Sequence, residues 1–314
     1  MASIDLRPVS NSGLKVAPLA LGGNVFGWTA DETTSFRILD AFVDAGGTMI
    51  DTADVYSAWV DGHKGGESEE VIGRWLKRDP SKRDKVVIAT KVGFMAGLKP
   101  DTIGPACDAS LLRLGVETID IYYQHKDDES VPLADSLKTF DDQAKAGKIR
   151  AIGLSNFTPG RLAEACIVAR VDGFPAVSAF QTWYNLLERP KYEAALREVA
   201  AKENLAVFPF YALANGYLTG KYRSRDDLGK SVRGLRNVEY LEGKGPRVLA
   251  ALDDVAAETG AALASVALAW TMAQPTITAP IASATSVEQA EELIAGMSLE
   301  LTPGQLERLT AASV

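Results

Sequence analysis

The chain has 314 residues, 46% of them hydrophobic and 24% charged, enough apolar matter for one large core or two small ones. A net charge of -8 and a pI near 5.0 argue against nucleic acid or an anionic membrane surface as a partner. No apolar run approaches the ~18 residues of a membrane span and no apolar leader opens the chain, so a cytoplasmic protein is expected. With two cysteines, Cys107 and Cys166, inside helical patterns and two histidines in all, buried free thiols are expected rather than a disulfide or a zinc centre.

Residues 3–14 read as a short hairpin ahead of a buried strand at 16–21 that ends in Gly22-Gly23. Asp31 caps a helix running to about residue 44, with Phe36, Leu39, Phe42 and Val43 at helical spacing. Gly46-Gly47 stop that helix, and a strand at 48–50 delivers Asp51. A loop over 57–66 holds Trp59 and His63, a helix follows at 67–77, and a β-branched run at 85–90 ends in Lys91. A helix at 100–115 precedes a strand at 118–124 that ends in His125. Next come a helix at 132–146, a strand at 149–154 closed by Ser155-Asn156-Phe157, and a helix to about 170 with Pro159 in its first turn. A strand at 179–182, a helix at 191–202 and a strand at 206–211 lead into a long Gly-, Arg- and Lys-rich loop over 212–246. Helices at 247–258 and 263–272, a strand at 276–281, and helices at 287–295 and 303–312 complete the chain.

Eight strand–helix units, with an N-terminal hairpin and extra helices near the C-terminus, predict a (β/α)8 TIM barrel forming one domain over 1–314. An open, doubly wound sheet would want GxGxxG after the first strand, and Leu21-Gly22-Gly23-Asn24-Val25-Phe26-Gly27 lacks that spacing.

Asp51, Lys91 and His125 end three consecutive strands, and Tyr56 follows Asp51 closely. Asp51 alone reads equally well as a helix cap; it is the three strand ends together that single it out, because parallel α/β proteins place chemistry there. With no nucleophile elbow, phosphate loop or metal-ligand cluster in the sequence, proton transfer is what remains. A phenol titrates near pH ~10, and an ammonium from Lys91 is expected to lower that value, with Asp51 keeping Lys91 protonated. A neutral His125 could orient a carbonyl oxygen. These roles suit protonation of an oxygen gaining negative charge, as in carbonyl reduction by a cofactor-borne hydride.

The run Gly46-Gly47-Thr48-Met49-Ile50-Asp51-Thr52-Ala53-Asp54-Val55-Tyr56 resembles the signature of the aldo-keto reductases. Thr90-Lys91-Val92, Tyr123-Gln124-His125, Gly147-Lys148-Ile149-Arg150-Ala151-Ile152-Gly153-Leu154-Ser155-Asn156-Phe157 and Leu218-Thr219-Gly220-Lys221-Tyr222 match in the family's order, over essentially the whole chain. The resemblance implies a barrel that binds an extended nicotinamide cofactor, with Asp51, Tyr56, Lys91 and His125 as catalytic residues. Tyr56 would be general acid in reduction and general base in oxidation. It implies Ser155, Asn156 and Gln181 as contacts of the carboxamide, whose donors and acceptors they suit, and Tyr211 as the ring on which the nicotinamide stacks. Gly22, Gly23 and Asn24 are implied as further cofactor positions, and Leu213, Gly216, Leu218, Gly220 and Lys221 as the pyrophosphate loop. The segment 223–245 is then expected to order over the cofactor.

At the adenosine end, Thr285 stands where the family often has an Arg for the 2′-phosphate of NADPH, and Leu293 where an Asn is often found. Ser283, Thr285 and the amides of the next helix remain as phosphate donors, with Gln289 as an adenine contact. NADP(H) is therefore expected, with NAD(H) the alternative. Trp28, Trp59, Phe94 and Tyr184 follow four strands and are expected to line an apolar cleft for a small carbonyl or alcohol without strong negative charge. The Leu218–Tyr222 motif also resembles the β subunits of voltage-gated potassium channels, so a cofactor-sensing regulatory subunit is the second reading.

Overall fold

The computed structural model describes residues 4–314; Ser3, the first residue of the expected hairpin, lies outside them. The hairpin pairs β1 (Arg7–Pro8) with β2 (Lys15–Val16) in antiparallel fashion. Val16 belongs to this hairpin and not, as expected, to the first barrel strand: Ala17 turns its N–H to the Thr48 hydroxyl at 2.7 Å, and Pro18 has no donor to extend a ladder.

Eight parallel strands follow. They are β3 (Ala20–Gly22), β4 (Met49–Asp51), β5 (Val87–Val92), β6 (Ile119–Gln124), β7 (Ile149–Ser155), β8 (Val177–Trp183), β9 (Ala206–Phe210) and β10 (Ile281–Ala282), paired in chain order with β10 returning to β3. A bridge between Val207 and Ile277 draws the segment before β10 onto β9, and the sheet curls into a (β/α)8 barrel. Of the strand expected at 276–281 only Ile281 is regular, because Thr276 sits at φ 71° and Pro280 cannot donate.

The outer layer holds α1 (Glu32–Asp44), α2 (Glu67–Arg78), α3 (Pro100–Leu114), α4 (Leu133–Lys145), α5 (Pro159–Val171), α6 (Pro190–Glu193), α7 (Leu196–Lys202), α8 (Val238–Glu242), α9 (Gly245–Thr259), α10 (Leu263–Met272), α11 (Val287–Ala295) and α12 (Pro303–Ala312). The single helix expected at 191–202 is split into α6 and α7 at Ala194 and Ala195, whose ψ of -75° and φ of -119° leave the helical ladder. Arg189 grips Glu193 at 2.9 and 3.0 Å and Tyr192 is fully buried, so the first turn is fixed independently of the second. The expected loop over 212–246 carries three 3-10 turns besides α8, and Arg223 ties it to Asp253 of α9 through bonds of 2.6 and 2.7 Å. No single helix among the described residues is long and apolar enough to cross a membrane. Cys107 and Cys166 are both buried and unpaired.

Two apolar cores result. One lies between sheet and helices; the other fills the barrel with Met49, Ala89, Ile121, Tyr123, Ala151, Ala179, Ala206 and Phe208, plugged from below by Val9, Leu14 and Val16 of the hairpin. Strand alternation extends each inward set toward the carboxyl ends of the strands. Met49 leads to Asp51, Ala89 to Lys91, Tyr123 to His125, Gly153 to Ser155, and Ala179 to Gln181 and Trp183. The plug fills the far end, so only the carboxyl mouth is left for polar groups.

Outside the barrel, α2 and α3 touch backbone to backbone: a Cβ on Gly73 would stand 2.1 Å from the Arg113 carbonyl oxygen. Gly73→Ala should lower stability by about 1–3 kcal/mol through overpacking, read as a reduced midpoint in urea unfolding. An unchanged midpoint would contradict this close approach.

Candidate active site

Asp51 at the end of β4 is 2% exposed, and Lys91, the fifth residue of β5, is 1% exposed. Lys91 Nζ donates to Asp51 Oδ2 at 2.7 Å, to the Thr52 carbonyl at 2.8 Å and to Tyr56 Oη at 2.9 Å. All three ammonium donors are thus used. Asp51 accepts at its other oxygen from Gln181 Nε2 at 2.6 Å, while Tyr56 Oη lies 3.4 Å from Oδ2. Burial pulls the Lys91 ammonium below its ordinary value and the Asp51 carboxylate opposes that pull.

Tyr56 does not follow the direction expected of it. Burial first, and then the charge of Asp51, hold its phenol well above the ordinary value. Lys91 was expected to lower it, but the ammonium is already neutralised by Asp51, so the phenol meets a pair with little net charge. Tyr56 therefore keeps its proton at neutral pH. His125 is 8% exposed, and burial together with the Lys91 charge holds its imidazole well below the ordinary value. It is neutral, with Nδ1 buried and unpartnered among the described residues.

Ser155 and Asn156 follow at the end of β7. Asn156 adopts φ 57° and donates to the His125 carbonyl at 2.9 Å and to Ser155 Oγ at 3.1 Å, which links this pair to the strand end that carries His125. Gln181 serves Asp51 in this arrangement. Tyr211 sits at φ 54° just past β9, its ring 4.8 Å from that of Trp183, and its carbonyl accepts from Asn185 Nδ2 at 2.8 Å. Gly216 and Gly220 have φ of 86° and 78°, the left-handed region that glycine tolerates. Lys221 arches over Gly216 and onto the Tyr222 ring at 5.2 Å, and has no carboxylate partner among the described residues. Leu213 is half-buried, whereas Leu218 is fully buried, so only the backbone of Leu218 can face a ligand. Asn24 and Ser283 meet across the β3–β10 seam at 2.8 Å. A Cβ on Gly22 would strike Ser283 Oγ at 2.5 Å, and one on Gly23 would strike Ser68 Oγ at 2.8 Å, so tight packing already explains both glycines. Gln289 Oε1 accepts from the Thr285 amide and hydroxyl, both at 3.0 Å, on the exposed start of α11.

Three of the four expected pocket aromatics gather at the mouth. Trp28 lies edge-on to Trp59 at 5.5 Å, Trp59 lies 6.1 Å from Tyr56, and Phe94 lies 4.8 Å from His125. Tyr184 does not join them. It is 1% exposed, packed on Tyr192 and Trp270, with its hydroxyl donating to Glu193 at 2.7 Å. Strand alternation decides this: Gln181 and Trp183 point inward, so the next residue points out to the helices. Trp183 was therefore findable from the sequence, as the residue two past Gln181. Arg233 was not, because nothing local marks it in the 212–246 segment. Its guanidinium lies 5.6 Å from the Trp28 ring and brings a fixed charge to a mouth expected to have few.

Behind Lys91, Glu69 is fully buried and accepts from Thr90 Oγ1 at 2.6 Å and Arg113 Nε at 2.7 Å. Neighbouring Asp54 has Oδ1 buried and unpartnered among the described residues, and burial, then the charge of Glu69, push its carboxyl up to about 7. The folded state thus holds a proton that the unfolded chain releases near 3.8, so wild-type stability falls as pH rises from there to about 7 and is level beyond it. Asp54→Asn should accordingly raise the melting temperature clearly at pH ~8 and little at pH ~4. A gain equal at both values would contradict the raised carboxyl.

A family model described as Aldo/keto reductase family matches residues 18–314. The uncharacterized oxidoreductase YrpG of Bacillus subtilis is 34% identical, covering 93% of this chain and 91% of its own. The L-glyceraldehyde 3-phosphate reductase of Escherichia coli K12 is 30% identical, with 94% and 88% covered. The protein Tas of the same organism is 29% identical, with 96% of each chain covered.

Proposed function

The chain belongs to the aldo/keto reductase family and is an oxidoreductase acting on carbonyls or alcohols, and from that premise we propose that it is an NADP(H)-dependent carbonyl reductase using Tyr56 as its proton donor. The observation that carries this reading is Lys91 Nζ bridging Asp51 and the Tyr56 hydroxyl at 2.7 and 2.9 Å in the one open end of the barrel.

The residues present fit a nicotinamide dinucleotide. Tyr211 offers a ring beside the tetrad, Ser155 and Asn156 offer amide-matching groups, and Lys221 offers an unpaired ammonium to the pyrophosphate. Ser283, Thr285 and the first amides of α11 are the donors for the 2′-phosphate, with Gln289 near the adenine. With no guanidinium at position 285, the preference over NAD(H) rests on these donors, because the pyrophosphate that Lys221 meets is common to both cofactors. When bound, the reduced nicotinamide supplies the hydride that the carbonyl carbon accepts. Tyr56 Oη gives its proton to the carbonyl oxygen as charge builds there, and Lys91, donating to Oη, stabilises the phenolate that remains. Neutral His125 directs the same oxygen and repels no ammonium. Trp28, Trp59 and Phe94 keep water from the reacting carbon.

Tyr56→Phe should reduce kcat/KM for aldehyde reduction by about 10²–10⁴ while the Kd for NADPH stays as in wild type. Turnover that survives in the folded variant sinks the assignment of Tyr56. Fluorescence titration should show NADPH bound more tightly than NADH; equal or inverted affinities would assign NAD(H) instead.

A further inference from the structure

Of the seven cations on the 212–246 segment, three have a carboxylate partner among the described residues. Arg223 pairs with Asp253, Arg225 with Glu242 and Lys230 with Asp227. Arg233 has none: among the described residues its guanidinium makes neither an ion pair nor a side-chain hydrogen bond, yet it is half-buried. Such a group is normally matched. Burial pulls the guanidinium below its ordinary value, and the groups that face it include the neutral phenol of Tyr56, the rings of Tyr211 and Tyr222 and the charge of Arg236. Arg233 lies over the Trp28 ring, and Trp28, Trp59 and Tyr56 follow one another at 5.5 and 6.1 Å, so the aromatic rim runs from the proton donor to this cation. An aromatic face holds a guanidinium in plane while leaving its donor fork free for a planar or tetrahedral anion.

Building on the carbonyl reductase reading, we propose that Arg233 binds an acidic group of the substrate, so that the preferred carbonyl compound carries a carboxylate or phosphate at the end remote from the reacting carbon. The rim then holds the body of the substrate and Arg233 fixes which end enters. Lys221, on the Tyr222 ring, serves the cofactor side. Arg233, on Trp28, serves the substrate side.

The test is calorimetric titration of the NADPH-saturated protein with 4-carbamoylbenzoate and with benzamide, neither of which can be reduced, in wild type, Arg233→Gln and Arg233→Lys. The expected result is a carboxylate bound on the order of tenfold more tightly than the neutral amide in wild type, partly so in the Lys variant, and equally in the Gln variant. The Kd for NADPH should not move. The same selectivity should appear in kcat/KM for 4-carboxybenzaldehyde over benzaldehyde and be lost in Arg233→Gln through KM. Equal binding of the two probes by wild type, or selectivity that survives in Arg233→Gln, overturns the proposal. So does a matching loss of NADPH affinity in that variant, which would make the guanidinium a cofactor contact. Selective carboxylate binding with neither aldehyde reduced would uphold Arg233 and count against the reductase reading.

Discussion

The candidate site depends on one buried ion pair, Lys91 with Asp51, both almost wholly shielded from solvent at the open end of a filled barrel. Removing one partner of such a pair typically costs about 3–5 kcal/mol, because the other charge is left stranded. What makes it tolerable here is completeness. Lys91 has three acceptors for three donors, and Asp51 is tied at its second oxygen to Gln181. The pair therefore fixes the position of Tyr56 Oη, while burial first and the Asp51 charge second keep the phenol protonated. Being close to neutral as a unit, the pair does not strip the phenol of its proton, while its ammonium donates to the phenol oxygen at 2.9 Å.

Around the pair the fold supplies geometry more than chemistry. Strand alternation carries the chain from small interior residues such as Ala89 and Ala179 straight to Lys91 and Gln181 one step further along each strand. Gly153 belongs to the same design: a Cβ there would stand 2.3 Å from the Tyr123 ring, which fills the floor beneath the site. On the outer side, Glu69, Thr90 and Arg113 lock α2, β5 and α3 together directly behind Lys91.

Much of this was legible in the sequence, and the failures have local causes. The strand ends at Asp51, Lys91 and His125 could be read because β-branched runs stop abruptly in polar residues. Those same runs set the eight-unit count that gives the barrel. The last strand was overread because its composition is apolar while Pro280 and the backbone at Thr276 forbid a ladder. Tyr184 was misplaced by counting residues past a strand without following the alternation from Gln181. The direction of the Tyr56 shift was missed because a sequence shows the ammonium of Lys91 but not that Asp51 has already cancelled it. Asn185, which anchors Tyr211 from a fully buried position, and Arg233, which crosses to Trp28 from an irregular segment, are set by tertiary contacts without a periodic signal.

The central claim is that Tyr56 stands as a neutral phenol, a proton donor held in place by the Lys91–Asp51 pair. An ultraviolet difference titration of wild type against Tyr56→Phe tests it most directly, because the difference isolates the tyrosinate absorbance of this one ring. The account predicts no ionisation of Tyr56 until the pH exceeds the ordinary phenol value of 10.0. A step between pH ~7 and ~9 that disappears in the variant, below the ordinary phenol range, would contradict it and make the resting residue a phenolate.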